Sequence, residues 1–399
     1  MKVALWTPRP GSGGMGALLP RLESRMRIEL CTGPGAAPES DLDLFHVADE
    51  PEFAYVLAAL RGRPGVVLLA EWNLHTVARA EAISRGGMAG YLREARRAHG
   101  EAGVFAARQV VQGRDSAVLR ALFPLNDRVL EASLGLVAFT RYVAVRAARR
   151  LPGRPLAHVP VGLAAPRGGV PDGEGTRATL GVGRDEPLVA VVRPRGANGD
   201  GERIARTLDR WPRKDVVAVR FTDTTGPGLE PLVAAADVVI ALEHPPRGGL
   251  DPAVVTALGA GRPVLVTAGG AAAAEFAEGV VVPVSPGRTE EQEVRALLDR
   301  LLDDAALRSR IGRLAGEELA RRGDPDRLAA AIVDVVTAVA KGRDAAFAAW
   351  AADRREEGTL AAQAMDEVRW AARDLGLVGL PLGLDPLLGG LFASERSAS

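Results

Sequence analysis

The chain has 399 residues, of which 47% are hydrophobic and 25% charged, and its 50 basic residues are balanced by 50 acidic ones. This length is too great for one ordinary core and favours two domains of a globular protein. The balanced charge argues against a broad nucleic-acid surface, and we expect no nucleic-acid partner. Because Cys31 is the only cysteine, an intramolecular disulfide and a cysteine metal cage are excluded.

The N-terminus and the hydropathy favour a cytoplasmic protein. The short apolar run VALW after Lys2 lacks the length and the cleavage site of a signal peptide. No apolar stretch of about 18 residues is present, so we expect no membrane-spanning segment. Peripheral contact with a membrane stays open.

The first half alternates short apolar runs with helical patterns. Helices are predicted at 16–26 and within 74–112, and strands are predicted at 2–6, 27–31, 42–47, 65–70 and 135–139 and in PLAHVP. Such alternation is typical of a doubly wound parallel sheet. We assign residues 1–163 to a first Rossmann-like domain.

The second half repeats this pattern after a break. Residues 164–186 are rich in Gly, Pro and charge, and we predict a linker there. We assign 187–342 to a second Rossmann-like domain, and 343–399 to C-terminal helices and a tail that pack back on the first domain. Its strands are predicted at 187–193, 215–220, 237–243, 263–267 and 279–284, and its helices at 201–210, 228–235, 252–260 and through 289–340. Two such α/β domains predict a ligand in the cleft between them, at the carboxyl ends of their strands.

A glycine-rich loop follows the first predicted strand. The letters GSGGMG at 11–16, with Gly11, Gly13 and Gly14, fit G-x-G-x-x-G between a strand and a helix. A P-loop is excluded, because Ala17-Leu18 follow instead of Lys-Ser/Thr. A dinucleotide fingerprint is poorly supported, because the second strand ends in ELCTGPG without an acidic residue. Two readings stay open, a flexible connection and a loop whose backbone amides face a polar ligand.

The order of motifs resembles a known family over roughly residues 1–340. The stretch LVAAADVVIALEHPPRGGLDPAVVTALGAGRPVLVTAGG resembles the nucleotide-sugar half of retaining GT-B glycosyltransferases with an E-x7-E motif. The opening P-x-P-G-S-G-G-M resembles that group's P-x-x-S-G-I-A. The stretch HVADEPEFAYVLAALRGRPGVVLLAEWNLHTV resembles its Y-x-x-G-N-x-P-E-H and H-E/D-x-x-L-H-H patterns. The resemblance implies the α/β GT-B fold, with two Rossmann-like doubly wound domains facing a cleft.

The resemblance also implies an activity. Such enzymes move a sugar from a nucleoside diphosphate sugar to a glycan or another acceptor, here for a surface polysaccharide or a similar glycan, with no metal and no other cofactor. The first domain is then the acceptor side, and Gly11, Gly13 and Gly14 form an acceptor-side loop. Cations and N–H groups must stabilise the departing diphosphate.

Several residues of this sequence fall on the family's functional positions. On the acceptor side, these are Glu71 and His75, the residues that we expect to act in catalysis. His46 ends a strand on the same side, where packing and ligand contact are both open. On the donor side, the expected binding residues are Arg193, Arg195, Asn198 in place of the family's Lys, Arg203, Gly248, Gly249 and Thr256.

The departures from the family pattern concentrate at this site. The register set by ALGAGRPV places Gly249 and Thr256 where the family has its two Glu residues. Asp251, followed by Pro252, is expected to cap a helix and to repel a phosphate there. A carboxylate about 4 Å from a phosphate charge costs about 4 kcal/mol at an effective dielectric of 20. The N-terminus of a helix stabilises an anion by only about 0.3–1 kcal/mol. A second hypothesis is therefore a GT-B pseudoenzyme that binds a ligand or a partner without catalysis. A dinucleotide oxidoreductase is the third.

Overall fold

The computed structural model describes residues 1–11, 13–36, 38–164, 173–193, 200–213, 218–223 and 228–357. Contacts within the chain divide it after Lys341. Residues 1–341 form one compact unit that holds two sheets, and a second unit begins at Gly342.

The first sheet is built from the apolar runs of the N-terminal half. Its strands are β1 (Lys2–Trp6), β2 (Arg27–Cys31), β3 (Leu42–Val47), β4 (Gly65–Leu69), β5 (Ser133–Ala138) and β6 (Leu156–His158). They are all parallel and stand in the order β2-β1-β3-β4-β5-β6, with Leu5 of β1 opposite Leu30 and Leu44. Every residue of β3, β4 and β5 is buried, as expected for a parallel sheet with helices on both faces.

Helices connect the strands of this first sheet, and we call the sheet with its helices the first lobe. These helices are α1 (Gly13–Glu23), α2 (Ala54–Gly62), α3 (His75–Val111), α4 (Ala117–Leu122), α5 (Asp127–Ala132) and α6 (Arg141–Arg150), with short 3₁₀ helices at Pro51–Phe53 and Val161–Ala164. The region predicted as one or more helices at 74–112 contains breaks. The backbone leaves helical geometry at Gly86, and φ is 59° at Gly87 and Gly100, a value that glycine adopts readily.

The second sheet is also parallel and has the strand order β11-β10-β9-β7-β8. Its strands are β7 (Leu188–Arg193), β8 (Ala218–Asp223), β9 (Val238–Ala241), β10 (Val264–Thr267) and β11 (Val282–Val284). Its helices are α7 (Gly173–Leu180), α8 (Asp200–Asp209), α9 (Leu229–Ala235), α10 (Pro252–Gly259), α11 (Ala271–Glu275), α12 (Glu290–Asp303) and α13 (Ala305–Arg322). Apolar clusters fill both faces of this sheet, around Val239 on one side and Ile240 on the other.

Two segments differ from the sequence-based expectation. Within the predicted linker 164–186, α7 packs on α9, and Arg177 donates a 2.6 Å hydrogen bond to Ala235 O, so composition concealed a short helix. The helix α14 (Pro325–Lys341), which the sequence pattern assigns to the second domain, packs against α1 and β5 of the first lobe. Gly135 of β5 makes room for it, because a Cβ there would lie 2.5 Å from Val339 Cγ2.

The second unit begins with α15 (Arg343–Glu357), in which the rings of Phe347 and Trp350 lie 5.4 Å apart. Residues 358–399 of the predicted C-terminal helices and tail lie outside the described residues.

Candidate functional site

The carboxyl ends of strands from the two sheets meet at the loop between β9 and α10, residues 243–251, which we call the junction loop. The backbone N–H groups of Trp72 and Asn73, after β4, donate to Arg247 O at 3.1 and 3.0 Å. Thr140 Oγ1, after β5, donates to Gly248 O at 2.7 Å. Because ligands of parallel α/β sheets bind at the carboxyl ends of strands, this junction is the candidate site.

The two glycines of the junction loop have a packing role. Gly248 has φ of 94°, and a Cβ on it would lie 2.8 Å from side-chain atoms of Trp72 and Tyr142. A Cβ on Gly249 would lie 2.7 Å from Glu71 Cγ. The sequence predicts both as donor-binding residues, and in the structure they allow the junction loop to approach the first lobe closely. The assignment of Gly249 to the first Glu position of the E-x7-E motif is wrong by one residue, because seven residues between the two positions place Gly248 there when Thr256 is the second.

The charge of the junction is dominated by carboxylates around one arginine. Arg247 pairs with Glu243 at 2.5 Å. Burial alone would lower the pKa of Arg247, but the charges of Glu71, Glu243 and Asp251 outweigh burial and raise it. Burial raises the pKa of Glu243, while Arg247 opposes that rise. Arg247 is therefore held by the chain's own carboxylates.

Asp49 and Glu71 form a carboxyl pair at the same edge of the first sheet. Each stands two residues after its strand, Asp49 after β3 and Glu71 after β4. Asp49 Oδ1 accepts a 3.0 Å hydrogen bond from Val77 N at the start of α3. Burial, followed by the nearby charge of Glu71, raises the pKa of Asp49 well above its ordinary range. Glu71 was predicted from its sequence motif and Asp49 was not, although their equal spacing from two adjacent strands is a signal in the sequence.

His75 does not reach a ligand position. Its side chain is buried, with Nδ1 2.6 Å from Phe123 O and Nε2 2.7 Å from Tyr91 Oη. Since a carbonyl only accepts, Nδ1 carries the proton and Nε2 accepts from the Tyr91 hydroxyl. Burial lowers the pKa of His75 to about 4, so the ring is neutral. With both nitrogens bonded to the protein, the geometry corrects the expectation that this ring faces the acceptor.

The predicted donor residues are described unevenly. Arg195 and Asn198 lie outside the described residues, and of Arg193 only the backbone at the end of β7 is described. Arg203 of α8 forms an ion pair with Glu290 of α12, so a carboxylate already balances this cation. Thr256 Oγ1 donates to Pro252 O at 3.0 Å within α10.

Asp251 caps α10, as its sequence context predicted. Its carboxylate accepts a 2.8 Å hydrogen bond from Ala253 N, and Pro252 is the first helical residue. A carboxylate therefore stands where the amides of this helix end would otherwise attract an anion.

The glycine-rich loop has its own packing constraints. A Cβ on Gly14 would lie 1.9 Å from Val161 O, and one on Gly16 would lie 2.6 Å from Gly11 O. Gly13 opens α1, and a Cβ on Gly11 would meet open space. Close backbone packing thus accounts for Gly14 and Gly16, while Gly11 stays at the surface of the loop.

Metal-ligand clusters and helices that could span a membrane are both absent from the part of the chain that the structure describes. No three His, Cys, Asp or Glu side chains of the described ranges come together in a way that could hold a metal ion. Within the same ranges, no helix combines the length and the apolar character needed to cross a membrane.

Solved structures share the two-sheet architecture. The Anabaena protein Alr3699/HepE, in complex with UDP and glucose, is 14% identical with a TM-score of 0.50, over 85% of this chain and 100% of that chain. Sucrose-phosphate synthase from Thermosynechococcus elongatus is 13% identical with a TM-score of 0.50, over 85% of this chain and 99% of that chain. At this identity the likeness concerns the fold, which is GT-B, as predicted. No protein-family model and no curated protein matches the sequence.

Proposed function

We propose that the chain is a glycosyltransferase that moves a sugar from a nucleoside diphosphate sugar to a glycan acceptor. The observation that carries the proposal is the meeting of the carboxyl ends of two parallel sheets in one compact unit. Such a junction offers both a nucleotide-binding edge and an opposing edge for the acceptor. The similar fold of a protein in complex with UDP and glucose supports this choice of ligand.

On the donor side, we assign the diphosphate to the segment that follows β7. Arg193 ends that strand, and Arg195 and Asn198 follow it in sequence. Negative charge grows on the diphosphate as the sugar leaves, and fixed cations and N–H groups stabilise it in the transition state. In this proposal the reaction is retaining, and arginines replace the need for a metal.

On the acceptor side, we assign proton handling to Glu71. Its carboxyl group shares the strand edge with Asp49 and lies within electrostatic range of Arg247. Two carboxyl groups that interact electrostatically hold one proton more readily than they release both. Glu71 can therefore accept a proton from an acceptor hydroxyl while Asp49 keeps its own. We place the reaction in the cytoplasm and assign its product to a polysaccharide, with peripheral membrane contact as a further prediction.

A second candidate function is ligand binding without turnover. Three observations favour it. Asp251 occupies the amide end of α10, and the ion pair with Glu243 uses the charge of Arg247. Glycine and threonine at the motif positions also leave that part of the site without carboxylates.

Calorimetry with UDP, UDP-glucose, GDP-mannose and NADH, combined with an assay for release of UDP or GDP, tests the proposal. We expect binding of one nucleotide sugar with slow release of its nucleotide. Arg193→Ala should weaken that binding about tenfold or more, as expected for loss of a charged hydrogen bond. Arg313→Ala is the matched control, because its side chain is 66% exposed in α13.

Two outcomes count against the transferase, and a third counts against the site assigned to the diphosphate. Binding without nucleotide release supports the second candidate instead. Tight binding of NADH alone points to an oxidoreductase. Equal donor affinity in Arg193→Ala and Arg313→Ala removes the diphosphate assignment.

A further inference from the structure

A second histidine of the first lobe, His46, has hydrogen-bonding capacity that the protein does not use. Its side chain belongs to β3, and the residue is 9% exposed. Nδ1 lies 3.0 Å from Thr7 Oγ1, just beyond the end of β1. Among the residues that the structure describes, Nε2 has no hydrogen-bond partner, and it is not among the polar atoms sealed from solvent. His46 Nε2 is therefore available to a ligand at the carboxyl ends of the strands.

The hydrogen bonds of Thr7 decide which nitrogen of His46 carries the proton. Thr7 is fully buried, and its Oγ1 accepts from Arg9 N at 3.3 Å. The Thr7 hydroxyl proton needs an acceptor, because a buried donor without one is costly. His46 Nδ1 is the acceptor within reach, so Thr7 donates to it. A neutral ring that accepts at Nδ1 must carry its proton at Nε2.

The surroundings keep the His46 ring neutral and in place. Burial, with a smaller contribution from the positive charge of Arg9, lowers the pKa of His46 to about 4. The ring meets Phe53 edge-on at 5.1 Å between centroids and lies 5.5 Å from the ring of Phe139. His46 thus presents one fixed N–H donor and no charge at neutral pH.

The charges nearby indicate what this donor binds. Arg9 is engaged by two carboxylates, those of Glu50 and Glu52. The carboxyl pair of Asp49 and Glu71 adds further negative charge along the same edge. Arg9 is the charge that acts on His46, and these carboxylates balance it, so among the described residues the ring and its neighbours offer no surplus positive charge to an anion. A neutral N–H donor suits a hydroxyl or ring oxygen, and uncharged carbohydrate is the ligand chemistry that fits it.

We propose that His46 binds the acceptor by donating from Nε2–H to an oxygen of an uncharged carbohydrate, and that Thr7 is the positioning residue that fixes this tautomer. The inference rests on the proposed glycosyltransferase function. The sugar hydroxyl then binds at the carboxyl edge of the first sheet, beside the glycine-rich loop, and the phosphates bind to the other lobe.

The first test reads the tautomer in the full-length protein. Long-range ¹H–¹⁵N NMR of the histidine rings should show His46 protonated at Nε2 at pH 7. Thr7→Val should disturb that pattern, because valine removes the hydroxyl with little change in volume, and Thr7→Ser should retain it. A wild-type ring protonated at Nδ1, or a pattern unchanged in Thr7→Val, overturns the proposal.

The second test measures saccharide binding by saturation-transfer NMR, with methyl α-glucoside, maltose and N-acetylglucosamine as neutral probes and glucose 6-phosphate as the anionic one. We expect a neutral probe to bind more tightly than the phosphate. His46→Phe should weaken it by about three- to tenfold, the range for one neutral hydrogen bond. His46→Gln, which keeps an N–H donor, should stay closer to the wild type.

Several results contradict this binding role. They are no binding of any neutral probe, preference for the phosphate, and equal affinity in wild type and His46→Phe. UDP affinity of the same variants is measured in parallel and should not change. If UDP does not bind at all, the proposed function fails, while the tautomer and saccharide results still decide the role of His46.

Discussion

His75 and His46 occupy similar regions of the first lobe but differ in how many of their ring nitrogens are hydrogen-bonded to the protein. Both rings are buried near the carboxyl ends of strands, and burial lowers the pKa of each to about 4. Both nitrogens of His75 are bonded to protein atoms, whereas His46 uses one for Thr7. Burial and a shifted pKa are thus common to both, and unused hydrogen-bonding capacity separates the structural histidine from the candidate for binding.

A similar contrast separates the carboxylates of Glu275, which is buried, and Asp49, which is half-buried. Glu275 of α11 accepts from Arg141 N at 2.8 Å and from His158 Nε2 at 3.0 Å, and it also pairs with Arg322. Burial alone would raise the pKa of Glu275, but these partners lower it. Asp49 instead has a second carboxylate nearby, and its pKa is raised. Glu275 therefore fixes α11 against α6 and β6 of the first lobe.

The largest effect is expected at Glu275. Glu275→Ala removes the acceptor of Arg141 N and one of the two carboxylates that pair with Arg322, Glu318 being the other, and the free energy of unfolding should fall by about 3–5 kcal/mol. Urea denaturation measures this loss. Glu317→Ala is the control, because that side chain is 62% exposed, and it should change stability by less than about 0.5 kcal/mol. A loss below about 1 kcal/mol for Glu275→Ala would remove its joining role.

His75→Ala comes next and sharpens the comparison of the histidines. Removing the ring leaves Phe123 O and Tyr91 Oη unpaired and opens a cavity, so unfolding should become easier by about 2–4 kcal/mol. Ligand affinity of the folded fraction should stay at the wild-type value. Unchanged stability with lost ligand affinity would show that His75 binds the ligand and would contradict the contrast with His46.

A pH dependence should distinguish Asp49. Its pKa is raised on folding, so the native state binds a proton that the unfolded chain has released. Stability is then full below the ordinary carboxyl pKa of about 4 and falls as pH rises through the raised value, by at most about 1.4 kcal/mol per pH unit. Between pH 5 and 8, the denaturation midpoint should depend less steeply on pH in Asp49→Asn than in the wild type. Asp326→Asn, at a 62% exposed side chain, should keep the wild-type slope. Equal slopes in all three proteins would contradict the carboxyl pair.

The smallest effect is expected at Asp251. Asp251→Ser keeps a capping oxygen on α10 and removes the negative charge. Because Asp251 is only half-buried, solvent screens its repulsion toward the value of about 1 kcal/mol for two charges about 4 Å apart in water, so UDP should bind about three- to fivefold more tightly. Calorimetry measures the change. Asp304→Ser alters the cap of α13 in the same way and should have no effect on UDP. Unchanged or weaker binding in Asp251→Ser would place the diphosphate away from α10.

The fold could be predicted from the sequence because its signals are local. Buried parallel strands appear as continuous apolar runs such as GVVLL and VVIA. The helix cap at Asp251 is predicted by two adjacent residues, Asp251 and Pro252. The site depends on partners far along the chain. Tyr91 and Phe123 bind His75 from 16 and 48 positions away, and Thr7 reaches His46 across 39. No sequence window holds such pairs, so the sequence favoured His75 over His46.

Hydrogen exchange with and without UDP tests the central claim most directly, because it locates the nucleotide on the chain. The account predicts slower exchange in peptides that cover 193–203, after β7, with no change in those that cover His46 and Gly11. Protection around Gly11 alone, or no protection anywhere at saturating UDP, would contradict a nucleotide-sugar site at the edge of the second sheet.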